Sequence, residues 1–112
     1  MKRVETAIVI GGGIAGLTTA LALGRLGIDV KVFEQADSLR EVGAGLTVWS
    51  NGMYALDELG AAQDVLKAGQ VVESFRFLDE AGQVLGAVDL ARLERLVGQP
   101  SVTIHRRALL HA

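Results

Sequence analysis

Three consecutive glycines, Gly11 to Gly13, separate the apolar run at residues 7–10 from a long apolar segment at residues 14–26. One helix cannot run through all of them, because each glycine in a helix interior costs about 1 kcal/mol. The stretch therefore divides into a strand, a turn and a helix. Gly27 falls where the helix would stop, and residues 29–33 read as a second strand that runs into Glu34. The result is strand–turn–helix–strand, with G-x-G-x-x-G (Gly11, Gly13, Gly16) at the first turn and an acidic residue at the tip of the second strand.

Each residue type in this pattern has a physical task. Gly11 permits the tight turn out of the strand, and Gly13, with no side chain, lets a pyrophosphate approach the backbone. Gly16 lets the helix lie close to the strands. Free amides at the helix start, Ala15 among them, together with the positive end of the helix dipole, suit the phosphates. Glu34, followed by Gln35, is placed to accept hydrogen bonds from a ribose diol. A carboxylate there repels a ribose 2′-phosphate, so the pattern selects FAD or NAD over NADP. Gly12, Gly16, Ala20 and Gly24 also recur every four residues, a ridge of small side chains suited to close packing on a sheet. Glycine makes up 14 of the 112 residues, so the glycine motif alone is weak, and a turn that binds nothing is its bland alternative. The weight lies on the whole constellation.

A net charge of −2, with no long run of either sign, argues against nucleic acid or an anionic membrane as a primary partner. The absence of cysteine excludes disulfides, thiolate metal sites and a cysteine nucleophile. Residues 7–24 carry no charge and imitate a membrane span, and Lys2 and Arg3 ahead of them imitate a signal peptide. The glycine triplet breaks the helix that both readings need. The expectation is a cytoplasmic protein with no membrane span.

Farther along, residues 35–43 form a polar loop and residues 44–49 a short strand. Ser50 or Asn51 is placed to cap a helix over residues 52–59, ended by Gly60, and a second helical piece covers 61–68. Residues 72–78 alternate as one strand, 79–82 form a turn, and 83–88 return as its partner in a β-hairpin. Residues 89–97 read as a short helix or a loop. Gly98-Gln99-Pro100 breaks the chain, residues 101–104 form a strand, and a helix begins at His105 or Arg106. The first helix is apolar nearly all round and the first strand is a continuous apolar run. Both call for cover on more than one side, as in a central strand of a parallel sheet.

The marks that go beyond a generic nucleotide fold are Gly11-x-Gly13-x-x-Gly16 with Glu34, then Arg40, then Val42-Gly43-Ala44-Gly45-Leu46. They continue with Asn51, Leu56 and Leu59-Gly60, and end with His105-Arg106 ahead of Leu109. On these the chain resembles, over essentially its whole length, the N-terminal part of the single-component FAD-dependent aromatic hydroxylases, a monooxygenase family that includes salicylate and hydroxybenzoate hydroxylases. The resemblance implies an α/β fold: a Rossmann-like FAD-binding βαβ unit of the glutathione-reductase-like type, with a β-hairpin that begins a second sheet.

By the same resemblance, Glu34 binds the adenosine ribose of FAD, Arg40 and the segment through Gly45 line the flavin, Leu46 lies against its ring system, and Arg106 also reaches FAD. The family often has Pro-Asn where this chain has Ser50-Asn51. It often has His-Arg-Ala-Asp-Leu where this chain has His105-Arg106-Arg107-Ala108-Leu109, which favours Arg106 over Arg107. The division implied is residues 1–70 as the FAD-binding unit, 71–100 as hairpin and connection of a substrate-side sheet, and 101–112 as a return to the FAD domain.

Family members run to several hundred residues and use NAD(P)H and O2 to hydroxylate a small aromatic substrate. The expectation is therefore a portion of a larger two-domain enzyme, lacking the rest of its polypeptide and inactive by itself. No residue of the chain reads as a catalytic base. His105 and His111 lack the spacing and companions of a metal site. Trp49 and Tyr54 read as packing residues, and Asp57-Glu58 and Asp79-Glu80 as solvated charges. Two alternatives remain: the nucleotide-binding domain of an NAD-dependent dehydrogenase, for which the first 34 residues serve equally well, and a nucleotide-binding fragment without turnover. The segment after Glu34 separates the first of these, since a classical NAD domain returns at once to another βα unit.

Overall fold

The computed structural model describes residues 3–37 and 45–112. The chain runs β1 (Thr6–Ile10), α1 (Ile14–Arg25), β2 (Asp29–Phe33), β3 (Gly45–Val48), α2 (Ser50–Glu58), α3 (Ala62–Ala68), β4 (Gln70–Val72), β5 (Ser74–Leu78), β6 (Val84–Asp89), α4 (Leu90–Val97), β7 (Ser101–His105) and α5 (Arg106–His111). The strands form three small sheets: β1-β2, β3-β7-β4 and β5-β6.

β1 and β2 pair in parallel, with Thr6 opposite Asp29 and Ile10 opposite Phe33. The Asp29 amide donates to the Glu5 carbonyl at 2.9 Å and the Gly11 amide to the Phe33 carbonyl at 2.7 Å, which extends the ladder at both ends. α1 closes with the Ile28 amide on the Leu23 carbonyl (3.1 Å) and the Gly27 amide on the Gly24 carbonyl (2.9 Å), the paired bonds of a Schellman stop. That stop reverses the chain into β2 and completes the βαβ unit.

The cover that the apolar pattern calls for is not supplied among the described residues. Among the described residues β1 pairs with β2 alone. Ile8 and Ile10 are 66% and 80% exposed, and α1 has no buried residue. The ridge of small residues along α1 is only partly used: a Cβ added at Gly24 would meet nothing within 4 Å. No helix among the described residues is long and apolar enough to cross a membrane.

The core lies under the second sheet. β7 is its middle strand, antiparallel to both β3 and β4. The alternation of Val102, Thr103, Ile104 and His105 turns Val102 and Ile104 inward. There they meet Met53 of α2 and Ala62 and Val65 of α3, with Leu46, Val48 and Leu109 packed around them.

The start of α2 departs from expectation. The helix begins at Ser50 with Trp49 in the capping position, and no side chain caps it locally. Ser50 instead points inward. Its hydroxyl pairs with the Ser101 hydroxyl at 3.1 Å, and its amide donates to the same Ser101 oxygen at 3.1 Å. Both serines are buried. Ser101 thus satisfies, from a distant strand, one of the helix-start amides that a neighbouring side chain ordinarily caps. Ser101→Ala is expected to destabilise the chain by about 1–3 kcal/mol, because it leaves a buried N–H without an acceptor. Ser50→Ala keeps that amide bond and is expected to cost clearly less. Urea unfolding of the two variants gives the comparison, and equal costs would remove the capping role from Ser101.

The expected single strand over residues 72–78 is in fact two. Val72 ends β4, which pairs with β7, while β5 begins at Ser74 and pairs with β6. The break falls on Glu73, whose carbonyl accepts from the Leu90 amide (2.9 Å) and the Ala91 amide (3.1 Å) at the start of α4. The Leu90 bond keeps the register of the β5–β6 ladder, in which Ser74 stands opposite Asp89, so Glu73 already runs with the hairpin and the chain leaves the β7 sheet after Val72. α4 itself, which the sequence pattern leaves between helix and loop, is capped by the Asp89 carboxylate accepting from the Arg92 amide at 2.9 Å. The hairpin turn is fastened by the Asp79 carboxylate, which accepts from the Ala81 and Gln83 amides. A ring contact between Trp49 and Phe75, centroids 6.3 Å apart, ties the hairpin to the core side.

Candidate functional site

Gly11 leaves β1 with φ at 103°, a conformation that side chains strongly disfavour, and the chain bends sharply there. Gly16, one turn into α1, lies so close that a Cβ on it would enter the van der Waals sphere of the Gly11 carbonyl oxygen and come within 3.3 Å of Val9 Cγ1. Helix and strand can approach this closely only through glycine. Gly13 caps the helix in an extended conformation, and a Cβ there would meet nothing within 4 Å. Among the described residues, nothing fills the space above Gly13.

The first intrahelical bond of α1 runs from the Leu17 amide to the Gly13 carbonyl at 2.9 Å, and no side chain caps the helix. Among the described residues, nothing accepts from the amides of Ile14, Ala15 and Gly16, the donors left over at the helix start. With the helix dipole behind them, they make an anion seat beside that open space.

Glu34 closes the other side. Its Oε2 accepts from the Gly12 amide at 2.6 Å and its Oε1 from the Ala36 amide at 2.9 Å. Hydrogen bonds from Ala36 and Gly12 hold the carboxyl below its ordinary range, so it is ionised at neutral pH. A carboxylate has about four acceptor positions, and two are used, so a ribose diol still finds acceptors on the exposed group. The sequence pattern does not assign this contact to Gly12, which is buried. The signal for it is the third glycine: a side chain at position 12 would stand 3.2 Å from both the Glu34 Cβ and Oε2.

A second group of expected residues meets at one end of the β3–β7 ladder. Gly45 stands opposite His105 and Leu46 opposite Ile104, and Arg106, exposed, follows at once as the first residue of α5. Leu46 lines a cavity of about 380 Å³ whose walls are mostly apolar, and Ile14 and Leu17 at the start of α1 line it too. Gly45 and His105 border a wider groove, shared with β4. The Leu46 end of the ladder and the glycine-turn helix thus face a common space, a link through Ile14 that the sequence pattern does not reveal. Gln35 is exposed in the bend after β2. Arg40, with Val42, Gly43 and Ala44, lies outside the described residues.

Residues 3–110 match the family model described as FAD binding domain. The chain is 40% identical over 109 residues to the aurachin C monooxygenase/isomerase of Stigmatella aurantiaca, covering 97% of this chain and 28% of that protein. Among solved structures it is similar to the tetrameric form of 2-methyl-3-hydroxypyridine-5-carboxylic acid oxygenase, with a TM-score of 0.80 and 32% identity over 98% of this chain and 28% of the other. It is also similar to Klebsiella pneumoniae HpxO complexed with FAD and uric acid, with a TM-score of 0.79 and 31% identity over 96% of this chain and 27% of the other. The 112 residues thus correspond to little more than a quarter of the length of these relatives.

Proposed function

Because the chain belongs to the FAD binding domain family, we propose that the β1–α1 turn and Glu34 grip the adenosine diphosphate end of FAD, and that Arg40, Gly45, Leu46 and Arg106 border its flavin end. The carrying observation is the Glu34 carboxylate fastened to the Gly12 amide beside a helix start whose first amides find no partner among the described residues. The open side of Gly13 supports the same reading, because a pyrophosphate needs to reach bare backbone there. On this reading Gly11, Gly13, Ala15 and Gly16 form the phosphate seat, Glu34 and Gln35 take the ribose side, and residues 1–70 and 101–112 serve the cofactor while residues 71–100 face the substrate side.

The activity that fits is FAD-dependent hydroxylation of an aromatic or similar small substrate with NAD(P)H and O2, carried out by a protein of the relatives' kind. Its support is the relatives' own names. FAD, when bound, supplies the redox and oxygen-transfer chemistry. The residues of the seat and the ladder end bind it, orient it and present the apolar Leu46 wall that keeps water from it.

Titration of the 112-residue chain with FAD is the test. The expected result is a yellow complex that survives desalting and is displaced by ADP but not by the 2′-phosphorylated adenosine of NADP+. Retention of NAD+ with no affinity for flavin would shift the assignment to a dehydrogenase domain. Absence of binding to either would remove the reading.

A further inference from the structure

We propose that Glu34 is also a positioning residue for the pyrophosphate seat: by holding the Gly12 amide it keeps the glycine turn in the one conformation that leaves the following amides aimed outward. This rests on the nucleotide-binding reading above and deepens it, since ribose recognition requires nothing of Gly12.

A run of three glycines has the largest backbone freedom a chain can have, and a turn made of them holds a fixed shape only if something outside it fastens it. The structure shows three fasteners. The Gly11 amide is tied to the Phe33 carbonyl, and the Gly13 carbonyl takes the Leu17 amide. Between these two, Gly12 is tied to the Glu34 carboxylate by a short, charge-assisted bond of 2.6 Å. The same carboxylate is anchored from behind by the Ala36 amide at 2.9 Å, so it is itself fixed in place. Gly12 is buried against the Glu34 stem, within the 3.2 Å at which a Cβ would crowd it. The bond thus joins the end of β2 to the middle of the turn before any ligand arrives.

Electrostatics gives this role an unusual sign. A negative carboxylate beside a seat for phosphates opposes their binding, so its removal should by itself strengthen anion binding. If Glu34 served the ribose alone, losing it would leave a ribose-free anion bound as well as before, or better. If it fastens the turn, losing the acceptor weakens that anion in spite of the lost repulsion, and a glutamine, whose amide oxygen keeps the Gly12 bond while its NH2 gives up the one from Ala36, rescues it.

The probe is inorganic pyrophosphate, compared with ADP by calorimetry on the full 112-residue chain and on Glu34→Ala and Glu34→Gln. The expected result is pyrophosphate weakened about fivefold or more in Glu34→Ala, and unchanged within about twofold, or tighter, in Glu34→Gln. Exchange of the Gly12 amide with solvent, followed without ligand, should accelerate about tenfold in Glu34→Ala only. Should Glu34→Ala not fold, Glu34→Asp, whose carboxylate is withdrawn by one methylene, stands in its place against Glu34→Gln. Pyrophosphate binding in Glu34→Ala as tight as in the wild type overturns the proposal while leaving the nucleotide reading intact. So does wild-type binding of ADP without measurable pyrophosphate. If the wild type binds neither ADP nor pyrophosphate, the nucleotide reading itself has failed, and this role falls with it.

Discussion

Gly16→Ala is expected to abolish FAD binding and to destabilise the chain by about 2–3 kcal/mol, near the upper range for overpacking a tight site. The new methyl group would collide with the Gly11 carbonyl oxygen, a backbone atom that has no rotamer to escape into. Either the end of β1 or the first turn of α1 must shift. Both are tied down, β1 by the Gly11–Phe33 bond and α1 by the Leu17–Gly13 bond. Any shift large enough to relieve the clash also opens the angle between strand and helix, which moves the Ile14, Ala15 and Gly16 amides off the seat they form. Urea unfolding and flavin titration on one preparation read the two effects together. Gly24→Ala, on the same ridge two turns on, is the matched control. There the Cβ meets nothing, so the exchange should raise stability by up to about 1 kcal/mol through helix propensity. Opposite signs at the two glycines are the expected signature. A Gly16→Ala variant as stable as the wild type and still yellow with flavin would mean that the turn is looser than its geometry implies.

The contrast between these two glycines also marks what a sequence can and cannot disclose. The spacing of Gly11, Gly13 and Gly16 carries the turn because its causes are local: a left-handed φ, a close approach one helical turn away, and a helix stop at Gly27. Glu34 is legible as a carboxylate beside the turn for the same reason, since it sits at the tip of a strand whose apolar run is easy to count. Its bond to Gly12 is not legible, because it depends on how β2 lies beside β1 and on which carboxylate oxygen faces the turn. The split between β4 and β5 escapes on similar grounds. Residues 72–78 alternate without a flaw, and what divides them is their partners, Ser101 of β7 for Val72 and Asp89 of β6 for Ser74. Ser50 reads as a local cap because serine usually is one. Its actual partner, Ser101, comes from the far end of the chain, and no window along the sequence contains both. The meeting of Gly45 and Leu46 with Arg106 is likewise a product of the β3–β7 register, known in the sequence only through resemblance.

Gly13→Val should give the reverse of the Gly16 result: a chain close to wild-type stability that no longer holds FAD. Gly13 has φ −77° and ψ −179°, an extended conformation that a β-branched residue adopts without strain. Among the described residues the position faces open space, so the new side chain displaces no protein atom, and stability should fall only by the roughly 1 kcal/mol that an apolar residue costs at a helix N-cap. That open space is where the pyrophosphate has to sit if the helix-start amides are to reach it. Valine fills it, and the loss of about two charge-assisted hydrogen bonds corresponds to a fall in FAD affinity of about a hundredfold or more. The unfolding curve and the flavin titration therefore separate the two glycines: position 16 is required by the protein's own backbone, position 13 by the ligand. A turn that is glycine-rich for folding alone has no reason to reject valine at position 13. If Gly13→Val binds FAD as tightly as the wild type, the pyrophosphate does not lie against that backbone, and the cofactor site has to be sought elsewhere on the molecule.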